Sequence, residues 1–309
     1  MSHEDEILFE CSLSSSRNIR VLAASLHCLG KLGKEFTIEA TIPSKTLTLR
    51  FVNDAKTSFV AFEYKEEFFE SFSVALSEGV TVKLKLKSCL AVFRNLRIIE
   101  RLEISLVKIG SSKHVVIFRA ECQGQVTKTH QFYFEDAEAL DPQFDRETKH
   151  QIRARPKLLL EALKHIHGTD EIEITANAGL ELKVTSQHHN MKTSNANKTV
   201  MTEMIIPKQD FEMFEIAEIS TKLIFSVREF RVLLTFCESN KVDIADVLFL
   251  FNEPGTPLML TSLISDEVVT TPQLENEVKP HSFSFTLVLS TIPEGPSQNS
   301  QSQSQAEIS

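Results

Sequence analysis

At 309 residues the chain is long enough for two domains that each bury a core of their own. Its 42% apolar and 24% charged residues describe a soluble globular protein, and no apolar run reaches the ~20 residues of a bilayer span, so no membrane role is expected. A formal net charge of −9 counts against nucleic acid as a partner unless positive charge is concentrated in one place.

The N-terminal stretch Met1 to Glu6 is acidic and lacks the apolar core of a signal peptide. From about Arg17 to Leu32, the apolar residues Ile19, Leu22, Leu26 and Leu29 recur at the spacing of one helical face. Leu47, Leu49 and Phe51 then alternate with Thr46, Thr48 and Arg50, the beat of a half-buried strand. Val82, Leu84 and Leu86 alternate in the same way with Thr81, Lys83, Lys85 and Lys87. A second helix is predicted over Ser88 to Ile99, with Leu90, Phe93 and Leu96 inward. Phe132 and Phe134 mark a further strand, and the acidic stretch Glu135 to Lys149, which contains Pro142, reads as a connector. A third helix opens at Pro156, a favoured first-turn residue, and runs to about His167 through Leu159, Leu160, Leu163 and Ile166. Strand alternation returns at Leu180/Leu182/Val184, Leu223/Phe225/Val227 and Phe283/Phe285/Leu287/Leu289. The fourth helix covers Arg228 to Ser239, with Phe230, Leu233, Leu234 and Cys237 on its apolar face. Close-set turn residues, such as Asn53-Asp54, Gly110-Ser111-Ser112 and Pro254-Gly255, favour antiparallel meanders over parallel crossovers.

The order of elements repeats. Thr81 to Phe93 is a strand feeding directly into a helix, and so is Thr221 to Leu234, about 140 residues later. Lys65-Glu-Glu-Phe-Phe69 precedes the first unit as Lys208-Gln-Asp-Phe211 precedes the second, and the third helix sits where a copy of the first belongs. The expected domains are 1–134 and 150–291, joined by a connector at 135–149 and followed by a tail at 292–309.

Charge is sorted along the same plan. The helical stretches with their flanks (17–34, 87–101, 151–167 and 228–241) hold 15 Lys and Arg against 4 Asp and Glu, while the remainder holds 18 against 38. In the first helix Arg17, Arg20, Lys31 and Lys34 share the face opposite the apolar one, and Arg94, Arg97 and Arg101 are expected to do the same on the second. Arg155, Lys157 and Lys164 belong to the third, Arg228 and Arg231 to the fourth. One helix with solvated cations is ordinary, but four in a row without balancing acids suit phosphates held by a sequence-independent electrostatic attraction.

Few residues point to catalysis. Cys11, Cys28, Cys89, Cys122 and Cys237 are scattered and form no C-x-x-C pair, which argues for a reducing compartment and against a zinc site or disulfide framework. His165 and His167 are too close along a helix to share an ion, His188-His189 has no cysteine near it, and no cofactor is expected. Asp136-Ala-Glu138 matches the Asp-x-Glu of metal-dependent exonucleases, without further carboxylates at recognisable spacing. No G-x-x-x-x-G-K-[ST] is present, so ATP hydrolysis by the usual P-loop is not expected.

Two strand-rich tandem domains, four basic helices and an acidic connector together resemble a sliding clamp of the PCNA type. Six segments are similar to one branch, the Rad-nine family of the Rad-nine/Rad-one/Hus-one checkpoint clamp. They are Leu49-Arg-Phe-Val-Asn-Asp-Ala-Lys-Thr-Ser58, Lys87-Ser-Cys-Leu-Ala-Val-Phe-Arg94, Lys128-Thr-His-Gln-Phe132, Val200-Met-Thr-Glu-Met204, Arg228-Glu-Phe-Arg231 with Glu238-Ser239, and Phe251-Asn-Glu-Pro-Gly-Thr-Pro257. The resemblance implies an α+β fold of two tandem clamp domains, with antiparallel sheets outside and four helices lining a DNA bore. It implies a nuclear heterotrimer with two related subunits (Rad-one and Hus-one types), loaded on double-stranded DNA by an ATP-dependent clamp loader and bound by checkpoint mediator and repair proteins. Subunit contacts would use edge strands at Lys128, Thr129, His130, Phe132 and Phe134, and at Val200, Thr202 and Met204. Val52 and Lys56 would line the client groove under the connector. The alternatives are a 3'-5' exonuclease acting at DNA ends and a homotrimeric replicative clamp. The family's long phosphorylated tail is expected to be replaced here by a short polar one. In it Ser297, Ser300, Ser302 and Ser304 each precede Gln, the pair preferred by DNA-damage checkpoint kinases. No basic cluster of the nuclear-import type is visible.

Overall fold

The computed structural model describes residues 6–41, 44–75, 79–109, 113–138, 140–145, 147–187, 201–217, 220–239, 244–262 and 282–293. The first half runs β1 (Glu6–Leu13), α1 (Ser16–Leu32), β2 (Glu35–Thr41), β3 (Thr46–Val52), β4 (Ser58–Lys65), a three-ten turn (Glu66–Phe68) and β5 (Ser71–Val74). It continues with β6 (Val80–Lys85), α2 (Leu86–Val92), a three-ten turn (Leu96–Ile98), β7 (Ile99–Ile109), β8 (Lys113–Cys122) and β9 (Val126–Phe132). After β10 (Glu135–Asp136) the second half brings β11 (His150–Ala154), α3 (Pro156–Leu163), β12 (Glu171–Asn177), β13 (Glu181–Gln187), β14 (Glu203–Pro207) and a three-ten turn (Lys208–Asp210). It ends with β15 (Met213–Ile216), β16 (Ser220–Ser226), α4 (Val227–Cys237), β17 (Val247–Phe251), β18 (Leu258–Ser262) and β19 (Phe283–Leu289).

The duplication is written in the strand order. The first half gives β5-β1-β7-β8-β9 and β6-β2-β3-β4; the second gives β15-β11-β17-β18-β19 and β16-β12-β13-β14. Matching hydrogen bonds fix the equivalence residue by residue. Glu70 N donates to Ser12 O at 2.8 Å as Glu212 N donates to Arg153 O at 3.0 Å. Likewise Leu86 N donates to Lys34 O at 2.9 Å as Val227 N donates to Asp170 O at 3.0 Å. The halves are then fused, because β19 pairs antiparallel with β4 from Phe283↔Tyr64 to Leu289↔Ser58 and makes one ten-stranded sheet. Aromatic rings weld that joint: Phe62 lies 4.9 Å from Phe236, 6.1 Å from Phe283 and 6.5 Å from Phe285.

The helices form where an apolar stripe can settle on a sheet. In α1, Leu22, Leu26 and Leu29 are buried, Ser15 accepts from Asn18 N as N-cap, and Gly33 follows the last turn. Only glycine fits there, since a Cβ would run into the Phe51 ring.

Two predicted helices are shorter than expected. The second begins at Leu86 and stops at Val92, so Arg94 lies in a turn, Arg97 in a three-ten turn and Arg101 on β7. Leu90, Phe93 and Leu96 recur every third residue, a spacing that a helix followed by a three-ten turn meets as well as one long helix, and β-branched Ile98-Ile99 favours leaving it. The third helix ends at Leu163; Gly168, at φ +70°, turns the chain toward β12.

Candidate functional site

The four α-helices among the described residues form a row. α2 packs on α1, α1 on α4, and α4 on α3, so the seam between the halves runs through the middle of the row. Each helix buries one face, and Arg17, Arg20, Lys31, Lys34, Arg94, Arg97, Arg155, Lys157, Lys164 and Arg228, on the helices or their flanks, are exposed. Among the described residues, Lys31, Lys34, Arg94, Arg97, Lys157 and Lys164 enter no ion pair, whereas Arg155 lies 3.3 Å from Glu212. Three predicted cations are drawn into the fold itself. Arg228 Nη2 donates to Lys31 O at 2.9 Å and Leu32 O at 3.4 Å, capping the C-terminus of α1 across the seam. Arg231, half-buried, caps α3 by donating to Ile166 O at 2.9 Å and Leu163 O at 3.3 Å. Arg101, on β7 and not on a helix, pairs with Glu70 at 2.6 Å and donates to Ser12 Oγ.

Among the described residues six strands end a sheet (β5, β9, β10, β14, β15 and β16), and two of them, β9 and β14, are the duplicates of the paired β19 and β4. Lys128, Thr129, His130 and Phe132 lie on β9, and Phe134 lies just beyond it. Met204 lies on β14, and Thr202 extends it through Ser186 N→Thr202 O at 2.9 Å. Val200 falls outside the described residues. Exposed apolar side chains gather at these edges: Val126 and Tyr133 at one, Met201 and Ile205 at the other.

Val52 and Lys56 line a groove of about 270 Å³ with Phe59, Pro257, Val288 and the connector residues Leu140 to Gln143. Asn53 Oδ1 shapes the groove's loop by accepting from Thr57 N at 2.8 Å and Ser58 N at 3.1 Å. Arg50 holds the connector over it, pairing with Asp141 and with Glu39 and donating to Leu140 O at 3.4 Å. In sequence Arg50 is only the polar beat of a strand; its role depends on a contact about ninety residues away.

Buried groups offer little chemistry. All five cysteines are buried, and burial pushes the Cys28 and Cys89 thiols up to about 12. Glu135–Asp136, at the Asp-x-Glu motif, form strand β10 against β6. His188, His189, Ser297, Ser300, Ser302 and Ser304 lie outside the described residues.

This architecture has known counterparts. A PCNA from Thermococcus kodakaraensis is similar with a TM-score of 0.64 at 16% identity, covering 92% of this chain and 99% of that one. A PCNA from Entamoeba histolytica gives 0.65 at 10% identity over 93% and 99%. A PCNA2–PCNA3 complex from Sulfolobus tokodaii gives 0.63 at 13% identity over 91% and 98%. In sequence, the Drosophila melanogaster cell cycle checkpoint control protein Rad9 is 26% identical over 245 residues, which are 79% of this chain and 51% of the relative. The chain therefore spans about half the length of that curated relative. Residues 22–274 match the Rad9 family, so the chain has the PCNA-type clamp fold and belongs to the Rad9 family.

Proposed function

We propose that the chain is one subunit of a heterotrimeric checkpoint clamp that encircles double-stranded DNA at damage sites in the nucleus. The observation that carries this is the relation between the fused strands and the free ones. β4 and β19 pair within the chain, and their duplicates β14 and β9 each end a sheet with that side free among the described residues. A neighbour using the same joint would pair with each edge, and repetition of a head-to-tail joint closes a ring. The helix row α2–α1–α4–α3 would continue from subunit to subunit and line the bore. There Arg17, Arg20, Lys31, Lys34, Arg94, Arg97, Arg155, Lys157 and Lys164 would meet phosphates without reading bases.

The groove at Val52 and Lys56 would take clients, checkpoint mediators and repair enzymes among them, by an apolar segment laid under the connector. A separate ATP-dependent loader would open the ring. The subunit itself would be a scaffold without catalysis, so Asp136→Ala with Glu138→Ala should leave any nuclease activity in preparations unchanged. The Ser-Gln cluster Ser297, Ser300, Ser302 and Ser304 would be the kinase target, each phosphate adding about −1.5 to −2 charges for an Arg-lined partner. Purification from native cells should yield a one-to-one-to-one complex with two clamp-like proteins. A stable homotrimer of the isolated chain would instead support a replicative clamp.

A further inference from the structure

The duplication allows the open joint to be read residue by residue. Thr261↔Thr286 on β18–β19 corresponds to Arg119↔Thr129 on β8–β9, which places Val126, Lys128, His130 and Phe132 where β19 has Phe283, Phe285, Leu287 and Leu289. By the same reasoning, Leu49↔Phe62 corresponds to Val184↔Met204, so Thr202, Met204 and Ile206 stand where β4 has Val60, Phe62 and Tyr64. Transferring the internal register Phe285↔Phe62 then sets Lys128 opposite Met204 and His130 opposite Thr202 in a contact between two copies of this chain.

Such a contact fails on chemistry. In the internal joint the core-facing positions Phe285 and Leu287 are 1% and 0% exposed. Lys128 and His130 would occupy those places and face a thioether and a hydroxyl, with no carboxylate between them. Burying an ammonium without a partner is strongly unfavourable, and a cross-strand side-chain pair contributes far too little to offset it. In the single chain Lys128 is half-buried and enters no ion pair among the described residues, so its charge remains available to a neighbour.

Building on the heterotrimeric ring proposed above, we infer that the neighbouring strand that pairs with β9 carries a carboxylate on its core-facing side opposite Lys128. Lys128 is thus a specificity residue: it rejects a second copy of this chain and selects the acidic neighbour. The β14 edge has no such requirement, because Met204 and Ile206 suit an apolar strand like β19.

The test uses the full chain in its native complex. Lys128→Glu sets two carboxylates face to face and should reduce recovery of one neighbour at least about ten-fold while the other, held by β14, is retained. Lys128→Arg should retain both, and the isolated wild-type chain should sediment without homotrimers. Retention of the second neighbour shows that the variant is folded. If Lys128→Glu keeps both neighbours, or loses both, the inference is overturned while the ring stands. If the wild-type chain brings down no clamp-like protein, the ring itself is wrong.

Discussion

The internal joint and the open edges are the same structure built twice and finished differently. At β4–β19, Phe62, Tyr64 and Phe285 are 0%, 0% and 1% exposed, and Phe62 and Phe285 interlock with Phe236 of α4. At β14 and β9 the equivalent places hold Met204, Ile206 and Lys128, and Met204 and Lys128 remain half-buried. The same topology is thus finished with different chemistry: large aromatic rings make the inner joint part of the core, and smaller or charged residues line the outer edges.

The sharpest way to break that comparison is to make the same truncation on both sides of it. Phe62→Ala should cost about 3–5 kcal/mol of stability through the cavity it leaves in the joint. Met204→Ala, at the duplicate position, should cost under about 1.5 kcal/mol in the isolated chain, because the site is only half-buried there. Chemical denaturation of both variants measures the difference. Equal costs would mean that the β14 edge is already a finished core surface.

Next in size is the helix row. Replacing Arg17, Arg20, Lys31 and Lys34 with Glu should leave assembly intact, weaken retention on circular DNA, and lower the salt slope of binding by up to about 0.9 for each phosphate no longer neutralised. Retention assays across a salt series report it. The cations that cap helices should behave differently. Arg228→Met should destabilise the chain by about 1–2 kcal/mol, since the Lys31 and Leu32 carbonyls lose a charged donor across the seam. Lys87→Met, at the duplicate position on α2, should change stability by less than about 0.5 kcal/mol. Thermal unfolding of the pair separates a capping role from a phosphate-facing one.

The smallest effect concerns pH. Glu253 has its carboxyl held below the usual 4.5, first by a hydrogen bond from Lys149 and then by that residue's charge. A depressed folded value contributes stability at neutral pH that is lost as pH falls through it. The stability gap between wild type and Glu253→Gln should therefore narrow on acidification from about pH 6 to pH 3. The gap itself should be small, because both side chains are exposed.

Local pattern in the sequence was enough for the strand alternation, the sites of all four helices, the repeat of strand-into-helix units and the gathering of positive charge in the helices and their flanks. Each of these depends on residues within a turn or two of one another, where periodicity and charge spacing act directly. Val52 and Lys56 were named only through family resemblance, and in the structure both lie beside connector residues Leu140 to Gln143. The second helix's early end was not legible, because a three-residue apolar rhythm does not distinguish a continuing helix from a three-ten turn. Nor was the division of labour among the arginines. Arg228, Arg231 and Arg101 look like Arg94 or Arg97 in sequence, and only the arrival of α1, α3 and Glu70 beside them gives each a partner. The same holds for the strands, since period-two alternation reads alike in a strand paired on both sides and in one left at an edge. That β4 meets β19 while β9 and β14 stay open is decided by contacts more than two hundred residues apart in the chain, and only the folded structure brings those residues together.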